Sequence, residues 1–170
     1  MSKRAATSFV NSVWSSFHIR SGLEPTLLST LKLKNVEPGK VNFELLIEKM
    51  HTNRLGILHG GTIASMVDLG GSLAVASKGL FSTGVSTDLN VTYLSSGGKV
   101  GHVIRGEATC DKFGKTLAYT TVLFRNEDDQ LVARGSHTKY VKIAFTEPGN
   151  ILEELSPELN NDTSRRATGL

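Results

Sequence analysis

One segment decides most of what this chain can become. Across residues 62–77 the side chains are small or apolar almost all round. Ile63, Ala64, Met66, Val67, Leu69, Leu73, Ala74 and Val75 leave little polar surface. Such a helix must be wrapped by protein on most of its sides. No apolar run approaches the roughly 18 residues that a membrane crossing needs, so the wrapping has to come from the chain itself or from a copy of it.

The remaining segments can supply that wrapping as strands. Residues 30–35 and 40–48 read as a hairpin, with Glu37-Pro38-Gly39-Lys40 as its turn. Residues 85–94 alternate, with Val85, Thr87, Leu89, Val91 and Tyr93 on one face and Ser86, Asp88, Asn90 and Thr92 on the other. Strands over 101–112, 117–126 and 130–142 follow, punctuated by Phe113-Gly114 and Glu127-Asp128-Asp129. A hairpin, one buried helix and then a strand meander is an α+β layout, an antiparallel sheet curled around one long helix.

The ends differ from the middle. Residues 1–22 read as an amphipathic helix with Phe9, Val10, Val13, Trp14 and Phe17 on one face. With Lys3, Arg4 and Arg20, frequent serine and no acid before Glu24, this stretch also has the look of a mitochondrial transit peptide. The main domain is expected over 23–145, and residues 146–170 are expected to form a polar, poorly ordered tail. A mitochondrial or cytoplasmic location follows, since the single Cys110 allows no disulfide framework within the chain. Cys110 itself reads as a half-buried strand residue.

Charge narrows the ligand class. The net charge is +3, but the tail carries five acids against two arginines, which leaves +6 on residues 1–145. A basic body suits an anionic partner. The basic residues form no run, and neither an RNA-binding aromatic signature nor zinc spacing is present. A small phosphorylated ligand is therefore expected, with no nucleic acid and no metal.

Two features point to chemistry. His59-Gly60-Gly61 stands at the mouth of the buried helix. Glycines let a ligand approach the backbone, and the first helical N–H groups are free and carry the positive dipole end. That combination suits a carbonyl gaining negative charge. Asp68 is the only formal charge between Arg54 and Lys78, mid-way along the apolar helix. A carboxylate there is either hydrogen-bonded for structure or poised for acid–base work. Eight residues separate Gly60 from Asp68, about 12 Å along a helix axis. A base and an oxyanion donor must both reach one carbon. Either the two do not cooperate, or one site takes Gly60 from one subunit and Asp68 from another, which predicts a two-fold dimer with two equivalent sites.

The segments His51-Thr52-Asn53, Gly56, Leu58-His59-Gly60-Gly61 and Val67-Asp68 resemble those of hotdog-fold thioesterases of the phenylacetate-degradation type. So do residues 84–93, Gly114-Lys115-Thr116-Leu117-Ala118 and His137-Thr138-Lys139. The likeness spans about residues 9–141 and is greatest to the group called thioesterase superfamily member 2 or acyl-CoA thioesterase 13.

The resemblance implies a hotdog fold, homodimers with a continuous sheet, commonly homotetramers, and hydrolysis of medium- or long-chain fatty acyl-CoA in fatty acid metabolism. It implies no cofactor, coenzyme A being part of the substrate. It implies Asp68 as general base or nucleophile, Gly60 as oxyanion donor, His59 and Asn53 at the thioester, and Ser86 placing the water or the base. Substrate and CoA contacts are implied at Gly61, Asp88, Tyr93, Leu94, Ser95, Lys112, Gly114, Lys115, Thr116, Lys139 and Tyr140. Lys112, Lys115, Arg134 and Lys139 are the expected phosphate ligands, whereas His51 and His137 read as structural, or as supports behind the reacting groups, rather than as catalytic. The sequence departs from the family pattern at Ser95-Ser96-Gly97-Gly98, where a proline is common, and at Gly70-Gly71, where glycine costs a helix about 1 kcal/mol per residue. Two other readings are a non-catalytic acyl-CoA-binding hotdog module and an enoyl-CoA hydratase.

Overall fold

The computed structural model describes residues 2–159. Helix α1 (Ser2–Arg20) and the short α2 (Leu23–Leu27) precede a hairpin of β1 (Lys32–Glu37) and β2 (Lys40–Leu46). The central helix α3 (Gly60–Ala76) comes next, then β3 (Val85–Tyr93), β4 (Val103–Phe113), β5 (Leu117–Arg125) and β6 (Leu131–Tyr140), and last the short α4 (Leu152–Leu155). The six strands form one antiparallel sheet in the order β1-β2-β4-β5-β6-β3.

Helix α3 lies across the concave face of that sheet. Twelve of its residues are buried, as its all-round apolar surface requires. It packs on β2, β4, β5, β6 and β3. The paired glycines explain how it lies so close. A Cβ on Gly71 would sit 2.6 Å from both His137 Nδ1 and Thr120 Oγ1, and one on Gly70 would sit 3.1 Å from Phe43. Both positions serve close packing of helix on sheet.

Two expectations need correction. A meander in chain order would put β3 beside β4. Instead β3 crosses to the far side and pairs with β6, because α3 delivers the chain to that edge. The alternation in β3 also fails to produce a buried face. Its first six residues are all exposed, Val85 and Leu89 included, because nothing among the described residues covers the edge strand. A bulge between Ser86 and Asp88 further breaks the alternation.

The second correction concerns the ends. The tail expected from residue 146 is ordered through residue 159, since it has apolar partners. Ile151 N–H donates to Gly79 O, Ser156 Oγ to Lys78 O, and Asn150 Oδ1 accepts from Phe81 N–H. Leu155 is buried in the main core together with Ala6, Phe9, Val10, Val13 and Trp14 of α1. Phe9 meets Phe81 edge to face, with centroids 6.2 Å apart. The two chain ends thus share one core with the sheet, rather than flanking it. The rest of the expected tail, residues 160–170, lies outside the described residues.

Candidate active site

The residues singled out along α3 fall into two groups, one at each part of the helix. The first is the helix entrance. His51 anchors it: Nδ1 accepts the Glu48 N–H at 2.9 Å, and Nε2 donates to Leu27 O at 2.7 Å. Thr62 Oγ1 donates to His51 O, which ties the helix to the loop. Asn53 shapes that loop, since its Oδ1 accepts from Leu55 N–H at 2.9 Å and Ile57 N–H at 3.4 Å. Its Nδ2 remains available. Residues Thr52, Asn53, Arg54, Leu55 and His59 line an open cleft of about 520 Å³.

His59 is the N-cap of α3. Its Nδ1 accepts the Gly61 N–H at 2.7 Å, so Gly61 has no backbone donor left for a ligand, contrary to its expected role. The Gly60 N–H finds no acceptor among the described residues, and Gly60 follows His59, which lines the cleft. Tyr93, exposed at the end of β3, lies over Gly60 and donates its hydroxyl to Gly60 O at 2.8 Å. Leu94 and Ser95 follow, exposed, with both N–H groups on Val132 O. The sequence does not reveal Tyr93 as a cover for the helix entrance, because 33 residues separate the two partners.

The second group lies two turns further along α3. Asp68 Oδ1 is 3.4 Å from both Ser86 Oγ on β3 and His137 Nε2 on β6. His137 Nε2 is 2.8 Å from Ser86 Oγ. The position mid-way along an apolar helix suggests a buried carboxylate, yet the Asp68 side chain is 45% exposed. It emerges at the β3 edge, where no further strand of the described residues covers it. The His137 side chain is fully buried, and burial is the main reason its pKa falls to about 4, with Lys139 adding to the drop and Asp68 opposing it. Neutral His137 must place its one proton. The Nδ1 atom is buried without a partner, and a buried bare acceptor costs less than an orphaned N–H. The proton therefore sits on Nε2 and is donated to Ser86 Oγ, whose hydroxyl points on to Asp68.

Lys139 also departs from expectation. It cannot reach a phosphate: its side chain is 3% exposed and its Nζ donates to Ser72 Oγ at 2.9 Å. Period-two reading of β6 would have found this. Ala133, Gly135, His137 and Lys139 share parity, and all four are buried against α3.

The other expected CoA contacts are exposed or, at Gly114 and Tyr140, half-buried, and they do not converge. Tyr93, Leu94 and Ser95 stand beside Gly60. Lys112, Gly114, Lys115 and Thr116 form the β4–β5 turn, and Tyr140, which pairs with Leu117 and Val85, lies at that same end. Tyr93 pairs with Ala133, seven residues before Tyr140 on β6, which is about 23 Å along the strand. Asp88 and Arg134 are exposed between these ends.

The thioesterase superfamily model matches residues 55–133, a span that includes Gly60, Asp68, Ser86 and Tyr93. A Schizosaccharomyces pombe protein named as an esterase is 45% identical over 146 residues, covering 86% of this chain and 91% of that protein. The chain belongs to the thioesterase superfamily. Human acyl-coenzyme A thioesterase 13 is 40% identical over 116 residues, covering 68% of this chain and 82% of that protein. The crystal structure of zebrafish thioesterase superfamily member 2 superposes with a TM-score of 0.69 at 36% identity, covering 76% of this chain and 93% of that one. The hotdog arrangement of this thioesterase is that of its relatives, and its ends, α1 and the segment from residue 142 onward, lie outside the residues that the family model matches.

Proposed function

We propose that this chain hydrolyses fatty acyl-CoA of medium or long chain to the free acid and coenzyme A, at sites shared between two copies. The observation that carries the reading is the separation of two half-sites on one helix. Gly60 offers a free N–H at the entrance of α3, and Asp68 offers an exposed carboxylate eight residues on. At 1.5 Å per residue they stand about 12 Å apart, too far to meet one thioester carbon. Two antiparallel copies of α3 bring one of each together. The edge position of β3 supports such pairing, because its outer side has no partner strand among the described residues and an edge strand of nine residues is a template for a second copy.

The reaction then runs through this chain's own groups. Asp68, held by Ser86 and His137, takes a proton from water. The hydroxide attacks the thioester carbonyl, and the developing oxyanion is received by the Gly60 N–H of the other copy, with Asn53 Nδ2 beside it. The C–S bond breaks, and the leaving CoA thiolate takes the proton that Asp68 received from water, which restores the carboxylate. Direct attack by the Asp68 carboxylate, followed by hydrolysis of the anhydride, uses the same groups. The human relative's name, acyl-coenzyme A thioesterase 13, supports the substrate class.

The deciding experiment is complementation. Asp68→Asn and Gly60→Pro are each inactive in this scheme. Mixed after subunit exchange, half of the pairs are hetero-pairs holding one intact site, so about a quarter of the wild-type rate returns. No recovery despite proven exchange refutes the shared site. Crotonyl-CoA hydration assayed against CoA release separates the hydratase reading. CoA binding without turnover by the unmodified protein marks the non-catalytic module. A panel from acetyl- to palmitoyl-CoA gives the chain length, and light scattering separates dimer from tetramer. For location, we favour a chain that keeps α1 in its mature form, since removal of residues 1–22 strips five side chains from the core. Mass spectrometry of the native N-terminus decides it.

A further inference from the structure

Helix α3 opens on two glycines in succession, Gly60 and Gly61. Glycine has the widest backbone freedom of any residue, so such a start leaves the direction of its N–H groups loosely set. Two side chains remove that freedom. The peptide joining Gly60 to Gly61 is held at both ends. Its N–H donates to His59 Nδ1 at 2.7 Å, and its carbonyl accepts the Tyr93 hydroxyl at 2.8 Å. The plane of that peptide is thereby fixed. The Gly60 N–H belongs to the peptide just before it and has no acceptor among the described residues.

The Tyr93 side of this clamp is itself backed by the sheet. Tyr93 pairs with Ala133 on β6, and the next two N–H groups, of Leu94 and Ser95, both donate to Val132 O at 2.9 and 3.1 Å. The ring approaches so closely that a Cβ on Gly60 would stand 3.2 Å from Tyr93 Cζ. A tyrosine that is 52% exposed can leave its hydroxyl in water, yet this one directs it to a carbonyl 33 residues away in sequence. That carbonyl does not need the contact to be satisfied. As the first residue of α3, Gly60 already has the N–H of Ala64, four residues on, as its partner in the helical ladder. What the tyrosine adds is orientation.

We propose that Tyr93 is a positioning residue for the hydrolysis. With His59 it clamps the Gly60–Gly61 peptide and so aims the Gly60 N–H at the oxyanion. This role differs from the CoA contact that the family resemblance implies for Tyr93. The inference rests on Gly60 being the oxyanion donor, and one control separates the two claims.

The test is steady-state hydrolysis of a long-chain acyl-CoA by the full-length protein, with kcat and KM read apart. Tyr93→Phe keeps the ring against Gly60 and removes only the hydroxyl. Its kcat is expected to fall about three- to tenfold, the span set by the net contribution of one neutral hydrogen bond, with KM near wild type. An unchanged kcat overturns the proposal, and a KM that rises instead marks a CoA contact. A double-mutant cycle then traces the loss to its target. In Gly60→Pro there is no N–H left to aim, so adding Tyr93→Phe is expected to lower the residual rate no further. An equal loss in the wild-type and Gly60→Pro backgrounds overturns the proposal. Should Gly60→Pro fail to fold, hydrogen exchange of the Gly61 amide takes its place. Tyr93→Phe is expected to speed that exchange several-fold as the clamp loosens, and an unchanged rate overturns the proposal. Folded Gly60→Pro with wild-type turnover refutes the oxyanion donor itself, whatever the Tyr93 variants do.

Discussion

The two halves of α3 solve opposite problems. At its entrance the candidate group is a backbone N–H, left without an acceptor among the described residues while His59 caps the neighbouring donor and Asn53 folds the loop. Eight residues later the candidate groups are side chains on three different elements, Asp68 on α3, Ser86 on β3 and His137 on β6. The first half-site is local, drawn from residues 51–61 with Tyr93 laid on top. The second is assembled by the sheet and is worthless without β6 in register. Backbone donors need only a correct turn, whereas an oriented carboxylate needs partners, and partners come from distant sequence.

The contrast is broken hardest at Asp68. Asp68→Asn is expected to lower kcat for acyl-CoA hydrolysis by about 10²–10⁴-fold while the thermal midpoint stays near wild type; steady-state kinetics with a melting curve check it. At the entrance, Gly60→Pro deletes the one N–H at a helix position that tolerates proline. It should cost about 10²–10³-fold in kcat. Gly60→Ala adds a comparable Cβ, 3.2 Å from the Tyr93 ring, but keeps the N–H, and should lose far less.

Stability separates the halves next. The pKa of His137 is 6.5 unfolded and about 4 folded, so the unfolded chain binds the proton more readily. Stability is complete above pH 6.5 and falls as pH drops from 6.5 toward 4. Denaturant titrations across that window should show the loss, and His137→Gln should flatten it. Gly71→Ala drives a Cβ against His137 and Thr120 at 2.6 Å, which outweighs the gain of about 1 kcal/mol in helix propensity. A net loss of about 1–3 kcal/mol is expected, several degrees in Tm, from calorimetry. Gly70→Ala meets Phe43 at 3.1 Å and should come out near neutral. His59→Ala should cost about 1 kcal/mol for a lost cap, read by the same calorimetry, which leaves Gly70→Ala as the smallest effect.

Much of this was legible beforehand. The all-round apolar character of residues 62–77 demanded a wrapped helix, and the turn residues at 37–40, 113–114 and 127–129 marked off the strands. His59-Gly60-Gly61 could be read as a helix entrance because capping and free N–H groups are local. Asp68 was conspicuous as a lone charge. The Asp68–Ser86–His137 contacts were not legible, since they join residues 18 and 51 apart in sequence. The burial of Lys139 was overlooked for a different reason: a lysine after a histidine and a threonine looks solvent-facing until strand parity is counted.

What the sequence determined by itself is therefore the inventory: one buried helix, strands to cover it, a free donor at its start and a carboxylate two turns on. That inventory follows from short-range rules of period, turn and cap, which need no knowledge of the rest of the chain. The tertiary structure alone decided which strand β3 joins, that the two chain ends complete the core, and that Lys139 points inward. Those outcomes depend on which distant surfaces fit together, and the close approach of α3 to the sheet at Gly70 and Gly71 is where that fit is set.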